Sequence, residues 1–358
     1  MADLTFLKKY LNTHAPTGYE KKGQKVWLDY LQDYVDEYFV DHYGTAVGVI
    51  NPDAKYKVVI EAHADEISRF VNYIDDKWYI YVIRNGGSDD QIAPSMRVNL
   101  WKDDGSAVKW VFGRPAIHTR SRDGKDLVPE MKNLTIDVGA SSRDEVEALG
   151  IHVGTVATFD ADFMMLHDSY YVCRALDNRI GWYMIAQVAK KIHDQGDKLD
   201  FGLYIVNSVQ EEVGLYGAWT IAHRINPHVA IVTDVCHDSS TPIHMDPKKH
   251  GDTKSWFWPV ISYAPSIHHT LRDLTIDVAT KHDIPFQRLA NSSWTGTDTD
   301  AFMLSNEWIP STLISLPLRY MHTTVEMVHK DDVEHTIELM YHTLLSLDVK
   351  EDYRYFKF

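Results

Sequence analysis

Apolar side chains recur at near-helical spacing through residues 22–38 (Val26, Leu28, Leu31, Val35), which predicts a helix there. Residues 39–67 then switch to strand-like runs such as Lys57-Val58-Val59-Ile60, so that helix feeds a sheet. From about 68 to 160 the texture changes to short alternating pieces: Arg69-Phe70-Val71-Asn72-Tyr73-Ile74, Trp78-Tyr79-Ile80-Tyr81-Val82 and Val108-Lys109-Trp110-Val111-Phe112. Asp-Asp, Gly-Gly and Asp-Gly turns separate them, the pattern of a small all-β module. Beyond about 170, helices and strands alternate again. A helix is expected near 177–195, a buried strand at 201–209, a helix near 214–224, a strand at 228–235 and a last helix from about 330. Such alternation favours a βαβ sheet with helices on both faces. The expected architecture is α/β, with residues 1–67 and 161–358 forming one domain and residues 68–160 inserted between its halves as a β domain. No internal repeat or low-complexity stretch interrupts it.

Composition narrows the function classes. A chain of 358 residues, 44% hydrophobic and 24% charged, can bury a sizeable core. Its net charge of -15 opposes attraction to phosphate backbones and anionic lipid, so neither nucleic acid nor a membrane is an expected partner. Two cysteines, Cys173 and Cys236, make no disulfide framework and fit a reducing compartment. The first residues lack a basic stretch followed by an apolar run, and nowhere do about 18 apolar residues follow one another. A soluble, cytoplasmic protein is the expectation.

The chemistry concentrates at predicted strand ends, where an open α/β sheet binds its ligands. His63 and Asp65 follow the apolar strand Val59-Ile60, spaced so that both side chains lie on one side of an extended backbone. Asp177 precedes a long helix, where an N-cap is the simpler role. Glu211 and Glu212 close a strand as adjacent carboxylates, which repel each other unless a cation or proton lies between them. Asp234 ends a further apolar strand, and His322 follows the run Thr312-Leu313-Ile314-Ser315. Singly each suits a loop or a cap. Together, two imidazoles with several carboxylates make the mixed N/O ligand set of Zn²⁺ or a similar divalent ion, and a shared carboxylate would hold two ions about 3.5–4 Å apart. In such a site one of the paired glutamates binds metal while the other serves as a base on water.

Seven segments in order carry a resemblance over nearly the whole chain. They are Ala15-Pro16-Thr17-Gly18-Tyr19-Glu20, His63-Ala64-Asp65-Glu66-Ile67, Ile136-Asp137-Val138-Gly139-Ala140-Ser141-Ser142, Ala175-Leu176-Asp177-Asn178-Arg179, Gln210-Glu211-Glu212-Val213-Gly214, Gly296-Thr297-Asp298 and Leu316-Pro317-Leu318-Arg319-Tyr320-Met321-His322-Thr323-Thr324-Val325-Glu326. In these the chain resembles the tetrahedral, dinuclear metallo-aminopeptidases, a family that includes glutamyl and deblocking aminopeptidases. The resemblance implies that Asp177 bridges two divalent ions, with His63 and Asp234 completing one site and Glu212 and His322 the other. It implies zinc foremost, with cobalt or manganese as alternatives. Glu211 would be the general base and Asp65 would support His63. The implied fold is a phosphorylase/hydrolase-like mixed sheet sandwiched by helices, with an inserted PDZ-like β domain that mediates oligomer contacts. The implied partners are short peptides and further copies of the chain, up to a tetrahedral dodecamer.

The chain departs from the family pattern near the expected substrate pocket. A basic Gly-Lys-Gly type segment is replaced by His250-Gly251-Asp252-Thr253-Lys254, and Trp294-Thr295-Gly296 stands where two glycines are usual. Thr299 and Asp300 stand where a small residue is usual. Asp298 and Asp300 could attract a basic side chain, or bind backbone or solvent. His237, His244, His268 and His269 fall in predicted loops or a helix start and read as surface residues; Cys236 reads as a small buried thiol. A deacylase or carboxypeptidase on the same scaffold and a non-catalytic assembly protein are the alternatives to an aminopeptidase.

Overall fold

In the segment Lys57–His63 successive residues are buried on both sides of the strand, so this strand needs cover above and below. The computed structural model, which describes residues 4–120, 129–242 and 245–356, supplies that cover. Eight strands form one mixed sheet in the order Glu37–Val40, Ala46–Ile50, Gly202–Ser208, Lys57–His63, Val229–His237, Ser311–Leu318, Val260–Tyr263 and Gln287–Ala290. The four central strands, Gly202–Ser208 to Ser311–Leu318, run parallel, so their carboxyl ends meet along one edge. Alternate residues serve opposite layers. Val58, Ile60 and Ala62 pack with helices Leu4–Asn12, Lys21–Leu31, Leu176–Gln195, His269–Lys281 and Lys330–Leu345. Val59 packs on the other side, with Tyr216–Ile225 and Asp298–Met303.

Helix Leu176–Gln195 lies against the strands that carry the candidate residues, and it is buried along most of its length. Trp182 on this helix is fully buried; its ring meets Trp27 edge-on at 6.0 Å, and the Trp27 indole N–H donates to the Trp182 carbonyl at 3.0 Å. Truncation of such a residue to alanine costs about 3–5 kcal/mol.

Between the sheet's first and later strands lies a closed barrel of Ser68–Ile74, Ile80–Asn85, Thr135–Asp137, Ala107–Phe112, Arg97–Trp101 and Val156–Phe159. Closure leaves no unpaired strand edge. The barrel has its own core, including Val71, Ile80, Val98, Leu100, Phe112 and Ile136. A three-stranded sheet, Met164–Leu166, Tyr170–Cys173 and Glu326–His329, lies outside both. Among the described residues no helix is long and apolar enough to cross a membrane.

Two expected boundaries move. The helix expected over 22–38 ends as Lys21–Leu31 with a 3-10 turn at Gln32–Tyr34, and Val35 is extended (φ −131°, ψ 156°). Asp36 there joins the sheet, its N–H donating to the Val49 carbonyl at 2.9 Å and its carboxylate accepting the Asn51 N–H at 2.7 Å. The strand expected at 228–235 runs on to His237, because Ser311–Leu318 pairs with it as far as Leu318. Asp234 is therefore inside a strand, opposite Ser315, rather than at its end.

Candidate metal centre

His63 is the last residue of its strand, and its ring lies almost wholly out of solvent. Nε2 approaches Asp177 Oδ1 at 3.2 Å, Glu211 Oε2 at 3.8 Å and Asp234 Oδ1 at 3.9 Å. On the ring's other side Nδ1 lies 3.3 Å from Asp65 Oδ1. His322, on the turn that follows Ser311–Leu318, brings Nε2 to 3.2 Å from Asp177 Oδ2 and 3.7 Å from Glu212 Oε2. Asp177 thus presents one oxygen to each imidazole. It caps nothing: Asp177 and Asn178 depart from helical backbone angles, the peptide between them is cis, and the Asp177 carboxylate turns toward the two rings.

The segment after Gly202–Ser208 reverses sharply through Gln210 (φ 59°) into a 3-10 turn, Glu211–Val213. Asp65 holds this turn. Its oxygens accept the Glu211 N–H at 3.0 Å, the Glu212 N–H at 3.2 Å and the Thr17 hydroxyl at 2.9 Å. Asp65 therefore touches both the His63 ring and the backbone that carries the paired glutamates. Asn178 secures the helix start from below, donating to the Thr233 carbonyl at 2.8 Å, and Asp234 accepts the Val235 N–H at 2.7 Å.

All seven candidates are thus brought together, and the sequence reading misses their supports. Glu326 receives no role in it, yet its carboxylate accepts the His322 N–H at 2.6 Å and the Asp177 N–H at 3.0 Å, tying two distant segments. The barrel also reaches the site: the Gly87 carbonyl lies 3.0 Å from His322 Nδ1, and a Cβ on Gly87 would stand 2.9 Å from that atom. No local pattern signals either contact. The Gly-Gly pair at 86–87 reads as a turn, and only the fold shows which ring it must clear.

Electrostatics mark an acidic cluster in want of positive charge. Burial pushes the Glu211 carboxyl well above the usual carboxylate range, and nearby Asp298 and Asp234 add to the rise. Glu212 and Asp234 are raised too, by burial first and then by Asp177. Burial would raise Asp177 as well, but the hydrogen bonds from His322 and His63 outweigh it and hold that carboxyl well below the ordinary range. Burial lowers His322, while the Asp177 hydrogen bond and the Glu212 charge lift it to about 10. His63, Asp177 and Glu212 could hold one metal ion, and His63, Glu211 and Asp234 form a second overlapping group, the ligand atoms of each lying within 4.8 Å of one another. The buried Glu212 Oε1 has no hydrogen-bond partner, as expected of an oxygen meant for a cation.

The chain matches the family model of the M42 glutamyl aminopeptidases over residues 44–339. It belongs to that family. As a member it is an enzyme that hydrolyses peptide bonds. Among its relatives is the lysyl aminopeptidase of Pyrococcus furiosus, 32% identical over 344 residues, spanning 95% of this chain and 96% of that one. Among solved structures, the TET aminopeptidase of a marine sediment archaeon of the Thaumarchaeota superposes with a TM-score of 0.89 at 27% identity, covering 95% of this chain and 96% of its own. The TET1 peptidase of Pyrococcus horikoshii, described as assembling into a tetrahedron or a large octahedral shell, gives 0.84 at 27% identity, covering 95% and 98%. The mixed sheet with its small barrel is consistent with the TET aminopeptidase fold.

The neighbouring residues settle differently. Asp300 accepts the Thr295 N–H at 3.2 Å and the Gly296 N–H at 2.9 Å, so it binds backbone. Asp298 is buried and shares the Ser208 hydroxyl with Glu61, at 2.6 and 2.5 Å. Neither faces the cavity of about 500 Å³ that contains the cluster. His237 lines that cavity at the end of its strand, and His268 and His269 open a helix elsewhere. His244 lies outside the described residues. Cys236 is buried in the same cavity wall, and burial pushes its thiol well above the usual range.

Proposed function

We propose that this member of the family is a dinuclear metal-dependent aminopeptidase that removes N-terminal residues from short peptides. The observation that carries the reading is the meeting of His63, Asp177, Glu211, Glu212, Asp234 and His322 around one cavity beside the parallel strands. Asp177 would be shared between two ions, with His63 and Asp234 on one side and Glu212 and His322 on the other. Divalent metal held there lowers the pKa of water toward neutrality and polarises a carbonyl. Zinc suits this N/O donor set, and cobalt and manganese accept it as well.

The chain's own residues supply the rest. Glu211, buried and 3.8 Å from His63, takes the proton from the attacking water and hands it to the leaving amine. Asp65 fixes the His63 ring and the Glu211–Glu212 backbone, so the base and the ligand are set by one carboxylate. The acidic wall favours the free α-ammonium of a substrate, which is what exopeptidase action requires. We also read the residue 68–160 insertion as a PDZ-like domain that joins copies of the chain, in keeping with a similar solved structure described as assembling into a tetrahedron or a large octahedral shell. A cytoplasmic enzyme is the accompanying proposal. The names of the family and of its P. furiosus member point to opposite side-chain charges and leave the preference open.

The test is a panel of free-amine and N-acetylated aminoacyl chromogenic amides offered to metal-stripped protein, with divalent ions returned one at a time. Cleavage of the free-amine set only when metal is present is the expected result. Cleavage of the acetylated set alone would replace the aminopeptidase with a deacylase.

A further inference from the structure

A second and larger cavity, of about 1050 Å³, opens where three of the parallel strands begin. Tyr56 precedes Lys57–His63, His228 precedes Val229–His237, and Pro310 precedes Ser311–Leu318. His63, the last residue of the first of these strands, belongs to the candidate metal centre, so about 20 Å of strand separates the two places. No residue lines both cavities.

The walls are aromatic, and the rings are held in place. Tyr56 stacks on His228 with ring centroids 4.3 Å apart, and Tyr355 stacks on His268 at 4.5 Å. The Tyr355 hydroxyl accepts the His269 N–H at 3.2 Å, which ties the end of the chain to the start of helix His269–Lys281. Trp308 projects from the loop after Asp298–Met303 with 68% of its surface exposed, while its neighbour Ile309 enters the core. Asn306 (φ 54°) and Trp308 (φ 71°) both occupy the left-handed region, which is costly for a bulky side chain. Asn306 holds the loop in that shape, donating to the Ala222 carbonyl at 3.2 Å and to Asn226 Oδ1 at 2.8 Å. Strained backbone thus puts an indole in solvent at the cavity's edge, although the core lies one residue away.

Charge gives the cavity a sign. Among the described residues, the charged side chains lining it are Glu307, Glu351, Asp352 and Arg354. Arg354 lies 3.8 Å from Asp352 and offsets it, which leaves a carboxylate excess. Burial lowers His228 and His268 from their ordinary value, so both rings are neutral at pH 7 and add no positive charge.

We infer that this cavity binds an organic cation, an ammonium group bearing apolar substituents, received by the rings of Trp308 and Tyr355 and balanced by Glu307 and Glu351. Aromatic faces attract such a cation through the ring quadrupole, while its substituents cover apolar surface. An anion would be repelled by the carboxylate excess. A metal ion finds no cluster of three ligands here among the described residues. A neutral solute would meet the rings and leave the carboxylates without a partner. The site stands whether or not the metal centre belongs to an aminopeptidase.

The experiment titrates the whole, metal-loaded protein by calorimetry with choline and with its uncharged isostere, in which a quaternary carbon replaces the nitrogen. Choline should bind about tenfold tighter than the isostere or more. Trp308→Ala and Tyr355→Leu should each weaken choline by about tenfold, whereas Trp308→Phe, which keeps a ring, should retain most of the affinity. Glu307→Gln should weaken it about threefold, and added salt should shrink that difference. Asp177→Asn, which alters the metal centre, should leave choline binding intact. Equal binding of the two probes, absence of choline binding, or its loss in Asp177→Asn overturns the inference. Affinity unmoved by both Trp308→Ala and Tyr355→Leu does the same. Light scattering covers the other occupant: a change of particle mass in Trp308→Ala would give this surface to a second copy of the chain and count against the cation.

Discussion

As proposed metal ligands, His63 and His322 would do the same work from very different surroundings. His63 ends a central strand, its side chain is 2% exposed, and its support comes from Asp65 two residues away. His322 sits on a turn with its side chain 31% exposed, and its supports are Glu326 and the Gly87 carbonyl of the barrel, 235 residues away in sequence. The inner imidazole is thus fixed by the sheet itself, whereas the outer one depends on how the inserted barrel docks. The difference teaches that one half of the proposed dinuclear centre is a property of the α/β scaffold and the other half a property of its union with the insertion.

Asp177 joins the halves, so its loss should have the largest effect. Asp177→Asn is expected to abolish turnover and lower bound metal at both sites, measured by elemental analysis after dialysis; retention of two ions would show that the halves do not share this carboxylate. Glu211→Gln should leave metal bound but reduce kcat by about 10²–10⁴-fold, the range for loss of a general base. Unchanged turnover would remove Glu211 from that role. Glu326→Gln should weaken metal binding by about 10–100-fold, as changes to groups that orient ligands do, and the more weakly held ion should be the one affected. Gly87→Ala tests the comparison most directly. Its methyl would crowd the His322 ring, so outer-site affinity should fall by about tenfold while inner-site affinity holds. An equal loss at both sites would dissolve the distinction.

A pH experiment sharpens the outer half. Burial lowers His322, but Asp177 and Glu212 raise it to about 10, above its ordinary value of 6.5. In the ion-free protein the protonated ring therefore contributes stability that is complete below about 6.5 and is lost as pH rises through about 10. Metal must displace that proton. Binding at pH 7 should release protons, and apparent affinity should climb between pH 6 and 9, read by calorimetry in buffers of different ionisation enthalpy. Binding without proton release would contradict the protonated ring.

Much of the candidate centre was legible along the chain. Val58, Val59 and Ile60 announce a buried strand, and a polar His63 directly after it stands out; Glu211 and Glu212 stand out the same way after Gly202–Ser208. Asp234 was found with the wrong local setting, because only the pairing with Ser311–Leu318 decides how far its strand runs. Asp177 read more readily as a cap than as a ligand, since capping residues and metal ligands draw on the same short acids. Asp298 and Asp300 read as open between a basic side chain and backbone or solvent, and only the fold shows that both are held by protein partners.

The amino-acid sequence by itself determined the alternation of strands and helices, the change to short alternating strands after the first sheet strands and the polar residues left near strand ends, because period and polarity are local properties of the chain. Tertiary structure alone decided that Glu326 grips both His322 and Asp177, that the Gly87 carbonyl from the barrel braces the outer imidazole, and that, among the described residues, the carboxylates lining the cavity are those of the candidate centre. Those contacts join segments 149 and 235 residues apart. Sheet order and domain docking set such distances, and no local pattern encodes them.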